Sequence, residues 1–256
     1  MEAKLVIINE PVYDLHVLAQ YNLHIHSTYS GCAKPEMVVT DILNRAIESN
    51  IKVIAITDHY NSKDCKILEN NEVLKTQVEQ FRKETNNNIK VLFGAELSAY
   101  GVGKCLDDID INKSLDYRLY SYNHYHLDYW EHPVDKSPRG YVNHALELLG
   151  KLLPTGRADC IAHPFIGRFI RCLEDRTEVT KEIKDSELGD ILELGTNNKV
   201  AWELNVNSIM ADPDFGKRYW NIGREVGAIF NIGTDAHRLE YIGTLQYLDR
   251  LKKILN

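Results

Sequence analysis

Short apolar runs alternate with helix-period segments along the whole chain. The runs at residues 18–25, 53–57, 89–97, 119–123, 160–162, 201–206 and 228–232 read as buried strands. Between the first two, Val38, Val39, Ile42, Leu43, Ala46 and Ile47 keep helical spacing after Pro35, a residue suited to a first helical turn. Ser137-Pro138 opens a second helix with Tyr141, Ala145, Leu148 and Leu152 on one face. Asp212-Pro213 opens a third, carrying Phe215, Tyr219, Ile222 and Val226 before a stop at Gly227.

Strands that alternate with helices pair in parallel through crossover connections. About seven such units predict an α/β fold, a distorted (β/α)7, TIM-like barrel, with its active site at the carboxyl ends of the strands. No low-complexity linker or internal repeat divides the chain, so a single domain is expected.

Composition narrows the function. A length of 256 residues is ordinary for one α/β barrel, and 44% hydrophobic with 26% charged residues is normal globular composition. The net charge of −7 argues against a basic nucleic-acid surface, although divalent ions in a site would reverse the local field. No apolar run approaches the roughly 20 residues of a membrane span. The start, Met1-Glu2-Ala3-Lys4 then Leu5-Val6-Ile7-Ile8, is too short and too soon acidic for a signal peptide. Five scattered cysteines without a CxxC give no disulfide framework, which predicts a reduced, cytoplasmic protein.

Seven of the ten histidines fall at a few sharply spaced points: His24-Ile25-His26, Asp58-His59, His124-Tyr125-His126, His163-Pro164 and Asp235-Ala236-His237. Glu96, ending Gly94-Ala95-Glu96, lies among them. Alternation along a strand points His24 and His26 to one face, where both reach one ion. Imidazoles mixed with carboxylates suit Zn²⁺, Mn²⁺ or Fe²⁺. Each motif alone has a plainer reading. An isolated HxH is usually incidental, Asp58 can satisfy backbone donors with His59 at the surface, and His124 or His126 can pack on neighbouring tyrosines. Six such motifs at successive strand ends are not independent accidents. Asp108-x-Asp110-x-Asn112 begins like an EF-hand loop, but Lys113 stands where the turn glycine belongs and Leu119 where the glutamate belongs. His16, His132 and His144 read as surface or packing residues.

The ordered set HxH, TDH, GxE, a strand-end His, HP, ExN (Glu203-Leu204-Asn205) and [ST]DAH resembles the PHP (polymerase and histidinol phosphatase) superfamily. The match runs over about residues 22–245 of one PHP-type domain spanning 1–256. The resemblance implies two or three divalent ions (Zn, Mn or Fe) and hydrolysis of phosphoesters, here small phosphate monoesters, by a metal-activated water. Carried onto this sequence, it implies that His24, His26, Glu96 and Asp235 hold a first ion. Glu96 would bridge to a second, completed by His124 and His163, and His59 and His237 would hold a third. Asp58 is a further ligand candidate, and His126 the alternative to His124. Glu96, Asp235 and His237 are the catalytic candidates.

One departure matters. Trinuclear members carry another histidine six residues after HxH, where this chain has Cys32. A thiolate is a good Zn²⁺ ligand. The alternative is a small helix-start residue, with the third site weak or empty. Arg168, Arg171 and Arg238 have planar forks suited to a substrate phosphate, a solvated basic stretch being the other reading. Specificity is expected in the loops 104–116 and 125–139. The competing functions are a nuclease acting on diesters, an amidohydrolase-like enzyme cleaving C–N bonds and a metal-binding domain without catalysis.

Overall fold

Asp14 accepts hydrogen bonds from the His16 and Val17 backbone N–H groups, and this cap starts a short helix, α1 (Leu15–Leu18). The first strand therefore begins at Tyr21 rather than at residue 18. The computed structural model describes residues 10–256, so the amino-terminal run Leu5-Val6-Ile7-Ile8 lies outside the described residues.

The strands are β1 (Tyr21–Ile25), β2 (Val53–Ile56), β3 (His59–Tyr60), β4 (Lys90–Gly101), β5 (Lys104–Cys105), β6 (Tyr117–Ser121), β7 (Cys160–Ile161), β8 (Ala201–Asn205) and β9 (Phe230–Gly233). They pair in the order β1-β2-β4-β6-β7-β8-β9, each pair parallel, with β3 and β5 attached to β4. Past β9, Ala236 bonds back to β1: its N–H donates to His24 O at 3.1 Å and its O accepts from His26 N at 2.9 Å. That junction draws the seven-strand path into a nearly closed barrel, the distorted (β/α)7 form expected from the sequence.

The helices are α2 (Val39–Glu48), α3 (Ile67–Thr85), α4 (Ile109–Lys113), α5 (Pro138–Leu152), α6 (Glu178–Glu182), α7 (Asp185–Asn197), α8 (Val206–Ala211), α9 (Pro213–Glu225) and α10 (Leu248–Leu255). Ser137 caps α5 by accepting from Gly140 N, and Asp212 caps α9 by accepting from Phe215 N. Pro35 sits in the turn before α2 rather than in its first turn, because Val38 is the N-cap. Side chains alternate along the strands. Leu23, Val53, Ala55, Leu92, Tyr117, Leu119, Cys160, Ala201 and Ile229 form one cluster, which fills the barrel. Their neighbours Ile54, Ile56, Val91 and Phe93 pack on α2 and α3, while Tyr120, Ile161, Trp202 and Phe230 pack on α5, α7 and α9. No helix among the described residues is long and apolar enough to cross a membrane.

A bulge in β1 prepares the site. Tyr21 and Asn22 pair with Val53 and Ile54, yet Ile25 pairs with Ile56, so β1 carries an extra residue over this stretch. The insertion lets both Leu23 and His24 face inward, Leu23 into the apolar filling and His24 into the polar layer above it.

Candidate metal centre

Register assembles the cluster. β3 pairs with β4 so that His59 lies opposite Glu96, whose N–H donates to Asp58 O at 3.0 Å. The Ala236 junction holds Asp235 beside the two β1 histidines. His26 Nε2 is 3.1 Å from His24 Nε2 and 3.1 Å from Asp235 Oδ1. Glu96 stands in the middle. Its Oε2 lies 2.8 Å from His59 Nδ1, 3.5 Å from His24 Nε2 and 3.6 Å from His26 Nε2. Its Oε1 lies 3.1 Å from His163 Nε2 and 3.3 Å from His124 Nε2.

Three sets of side chains bring ligand atoms within 4.8 Å of one another: His24, His26 and Asp235; His59, Glu96 and His124; and His26, His59 and His237. These donors fit divalent ions. Glu96 Oε2 is buried and has no hydrogen-bond partner, since His59 Nδ1 approaches it without hydrogen-bond geometry. The facing nitrogens of His24 and His26 share at most one proton between them. A cation resolves both deficits. His126 and His163 belong to none of the three sets: His163 meets the cluster through Glu96 Oε1, and His126 packs on Phe169, with ring centroids 4.7 Å apart.

The far sides of the imidazoles are held by residues that fix their tautomers. His24 Nδ1 donates to Glu203 Oε1 at 2.8 Å, leaving Nε2 to face the cluster. His237 Nδ1 donates to the backbone O of Asp235 at 2.8 Å. His26 Nδ1 donates to Ser30 Oγ at 3.0 Å, and Ser30 Oγ donates to Asp58 Oδ1 at 2.6 Å. The structure places Asp58 apart from the other ligand candidates. Both its oxygens are taken by hydrogen bonds, Oδ1 accepting from Ser27 N at 2.7 Å and Oδ2 from Ser27 Oγ at 2.5 Å, and it lies in none of the three sets. It steadies His26 through Ser30 instead. In the sequence Glu203 stands in the ExN motif without a role of its own, and nothing there marks Ser30.

Glu203 also holds the His163 loop. Its Oε2 accepts from His163 N at 2.5 Å, Asn123 Nδ2 donates to His163 O at 3.0 Å, and Phe165 N donates to Tyr122 Oη at 2.6 Å. His163 and Phe165 have φ values of 28° and 62°, and Asp235 has 52°. Such left-handed backbone persists where surrounding bonds enforce it. Gly233, at the end of β9, leaves room for this arrangement. A Cβ there would strike Glu203 Oε1 and the Cβ of His24. Gly233→Ala is therefore expected to lower stability by about 1–3 kcal/mol and to weaken metal binding together. Thermal melts with and without metal check this, and unchanged melts in both would contradict it.

Electrostatics reinforce the arrangement. Burial opposes ionisation of Glu96, but His124, His59 and His24 hold its carboxyl well below the usual carboxylate range. Burial likewise opposes the charge on His24, and Glu203, Asp235 and Glu96 overcome it, raising its pKa well above that of free histidine. His59 is raised the same way, burial being outweighed chiefly by Glu96. His26, buried and beside His59, is pushed down to about 3. Asp235 is lowered despite burial, through His24 and His26. Two raised imidazoles carry protons at pH 7 in the metal-free protein, and an ion must displace them. Metal loading is thus expected to release protons from His24 and His59, with affinity rising with pH through neutrality. Calorimetric titrations at pH 7 in buffers of different ionisation enthalpy measure this, and a buffer-independent heat would contradict it.

At the rim, burial raises the Cys32 thiol, but hydrogen bonds with His237 and His59 bring it down to about 6. Arg168 reaches the cluster, its Nη1 lying 3.3 Å from Asp235 Oδ2. Arg238 instead faces Glu240 at 3.8 Å, and Arg171 is exposed. Arg168 also lines a cavity of about 480 Å³ with Ile166, Gly167, Arg176, Asn207 and Tyr241. The loop 104–116 contains β5 and α4, and Asn112 of the rejected EF-hand pattern is buried against Asp107 and Tyr120.

Comparison with solved structures gives a histidinol phosphate phosphatase from Lactococcus lactis subsp. lactis Il1403, complexed with zinc, L-histidinol and phosphate. It is 18% identical, with a TM-score of 0.60, over 91% of this chain and 93% of that one. At that identity the likeness shows a shared fold. No curated protein matches the chain. The family model of the PHP domain matches residues 22–205, which takes in every cluster residue up to Glu203 and leaves Asp235 and His237 to the end of the same barrel. With that match over most of its length, the chain belongs to the PHP domain family.

Proposed function

We propose that this protein is a metal-dependent phosphoesterase that hydrolyses small phosphate monoesters. The observation that carries the reading is Glu96, a buried carboxylate with imidazole nitrogens on both oxygens and no hydrogen bond to Oε2. That is the environment of a ligand bridging two cations. His24, His26 and Asp235 would hold one ion, His124 and His163 would share Glu96 with a second, and His59 and His237 face a third position. When bound, such ions supply Lewis acidity toward phosphoryl oxygens and lower the pKa of water toward roughly 7.

The chain's own residues supply the rest. Arg168, half exposed and touching Asp235, is placed to pair with a phosphate above the cluster. Asp235, held ionised by His24 and His26, turns Oδ1 to His26 and Oδ2 to Arg168, where it would accept a hydrogen bond from the attacking water and orient it. The adjoining cavity, with its apolar wall and polar Arg176 and Asn207, receives the leaving group. The solved relative's complex with L-histidinol and phosphate supports a small, ring-bearing monoester as substrate. We read residues 1–256 as one such domain.

The test is a panel of monoesters, histidinol phosphate and nucleotides among them, run beside a labelled oligonucleotide. Phosphate release from a monoester with the oligonucleotide intact is the expected result. Cleavage of the oligonucleotide alone would make the protein a nuclease, and metal binding without turnover would make it a binding domain.

A further inference from the structure

Phe169 is a half-buried aromatic side chain without an apolar seat. Among the described residues it belongs to none of the hydrophobic clusters, and its ring meets side chains of the site instead. Its centroid lies 4.8 Å from that of His124 in an edge-to-face contact, 4.7 Å from His126 and 5.7 Å from His163. The Arg168 guanidinium stands over the same ring, its central carbon 4.9 Å from the centroid. Arg171 and Arg238 stand over no ring among the described residues.

A tight turn presents the pair. Ile170 N donates to Gly167 O at 2.9 Å, which puts Arg168 and Phe169 at the two corner positions of a four-residue turn. Both ends of that turn are fixed. Ile170 is buried in the largest apolar cluster, and Gly167 passes so close to the Arg176 backbone that a Cβ would strike its carbonyl oxygen.

We propose that Phe169 is a positioning residue for substrate binding: its ring holds the Arg168 guanidinium beside the metal centre, so that an arriving phosphate meets an arginine already in place. This rests on the phosphoesterase reading above. A long, half-exposed side chain loses rotamer freedom when it pairs with a ligand, and a ring under its charge removes part of that freedom beforehand. The stacking also consumes none of the five N–H donors, which stay available to phosphoryl oxygens. The contact of Arg168 Nη1 with Asp235 Oδ2 at 3.3 Å does occupy a donor, so it cannot play the same part.

The experiment titrates inorganic phosphate calorimetrically into the Zn²⁺-loaded full chain and measures metal content in parallel. Phe169→Leu keeps apolar bulk at the position and should weaken phosphate binding about 2–5-fold with metal content unchanged. Phe169→Tyr and Phe169→Trp should keep wild-type affinity. Arg168→Ala should weaken binding further than Phe169→Leu does, and adding Phe169→Leu to it should change nothing more. Unchanged affinity in Phe169→Leu, an equal loss with and without Arg168, or a loss of metal that accompanies the loss of affinity would overturn the proposal. Phosphate binding requires no turnover, so monoester hydrolysis is scored separately. Coupling between the two residues without hydrolysis sinks only the phosphatase reading, and hydrolysis without coupling sinks only the role of Phe169.

Discussion

Glu96→Gln is expected to lower turnover by about 10²–10³-fold and to strip metal from the cluster, with the fold intact. Glutamine has the same shape, so the packing of β4 is preserved. What changes is charge. The carboxylate faces five histidines, from His59 Nδ1 at 2.8 Å to His26 Nε2 at 3.6 Å. An amide puts an N–H pair where one ligand oxygen stood, aimed at imidazole nitrogens that themselves need an acceptor or a cation. Neutralising Glu96 also removes a cause of the raised pKa of both His24 and His59, so the metal-free variant holds fewer protons at pH 7. Metal content, turnover and proton release should therefore fall together. A variant that keeps full metal and full rate would remove Glu96 from the centre of the account.

The second large effect is expected one layer out. Glu203 accepts two N–H groups, His24 Nδ1 on one oxygen and the His163 backbone on the other. Glutamine has one acceptor and one donor end, so Glu203→Gln must turn an N–H toward one of these donors. Either His24 flips its tautomer and loses its ligand nitrogen, or the left-handed turn at His163 loses its anchor. Metal affinity or turnover should fall about 10–100-fold, the usual penalty for removing a residue that orients a ligand. Metal titration separates this role from a purely structural one. A weakened dissociation constant at unchanged melting temperature of the metal-free protein is expected, and the reverse pattern would contradict it.

Much of this architecture is legible in the sequence, and the reasons are physical. Strands such as β2 and β4 announce themselves because both faces are buried, one in the barrel filling and one under helices. The helices at 138–152 and 213–225 are visible through their Ser-Pro and Asp-Pro starts. By contrast, α3 has a sparse buried stripe of Ile67, Leu74, Val78 and Phe81 on an otherwise polar helix, too thin to stand out. Residues 18–19 read as strand because Leu18 and Ala19 are apolar, although the Asp14 cap turns Leu18 into helix. The ligand candidates were readable because strand ends recur in register. The β1 bulge, the Ser30 link and the orientation of Asp58 were not, because each depends on a partner distant in sequence or on a local backbone irregularity. Asp58 shows the difference plainly. Its position beside His59 suggests a ligand, yet the serines that follow His26 claim both its oxygens.

The cluster is expected to hydrolyse phosphate monoesters only when it holds divalent ions. The most direct measurement is release of inorganic phosphate from histidinol phosphate and a simple aryl phosphate by chelator-stripped protein, before and after Zn²⁺ or Mn²⁺ is restored. The stripped protein should release none and should recover with added metal, in wild type but not in Glu96→Gln. Phosphate release that persists without metal, or a fully loaded cluster that releases none from any monoester, would contradict it.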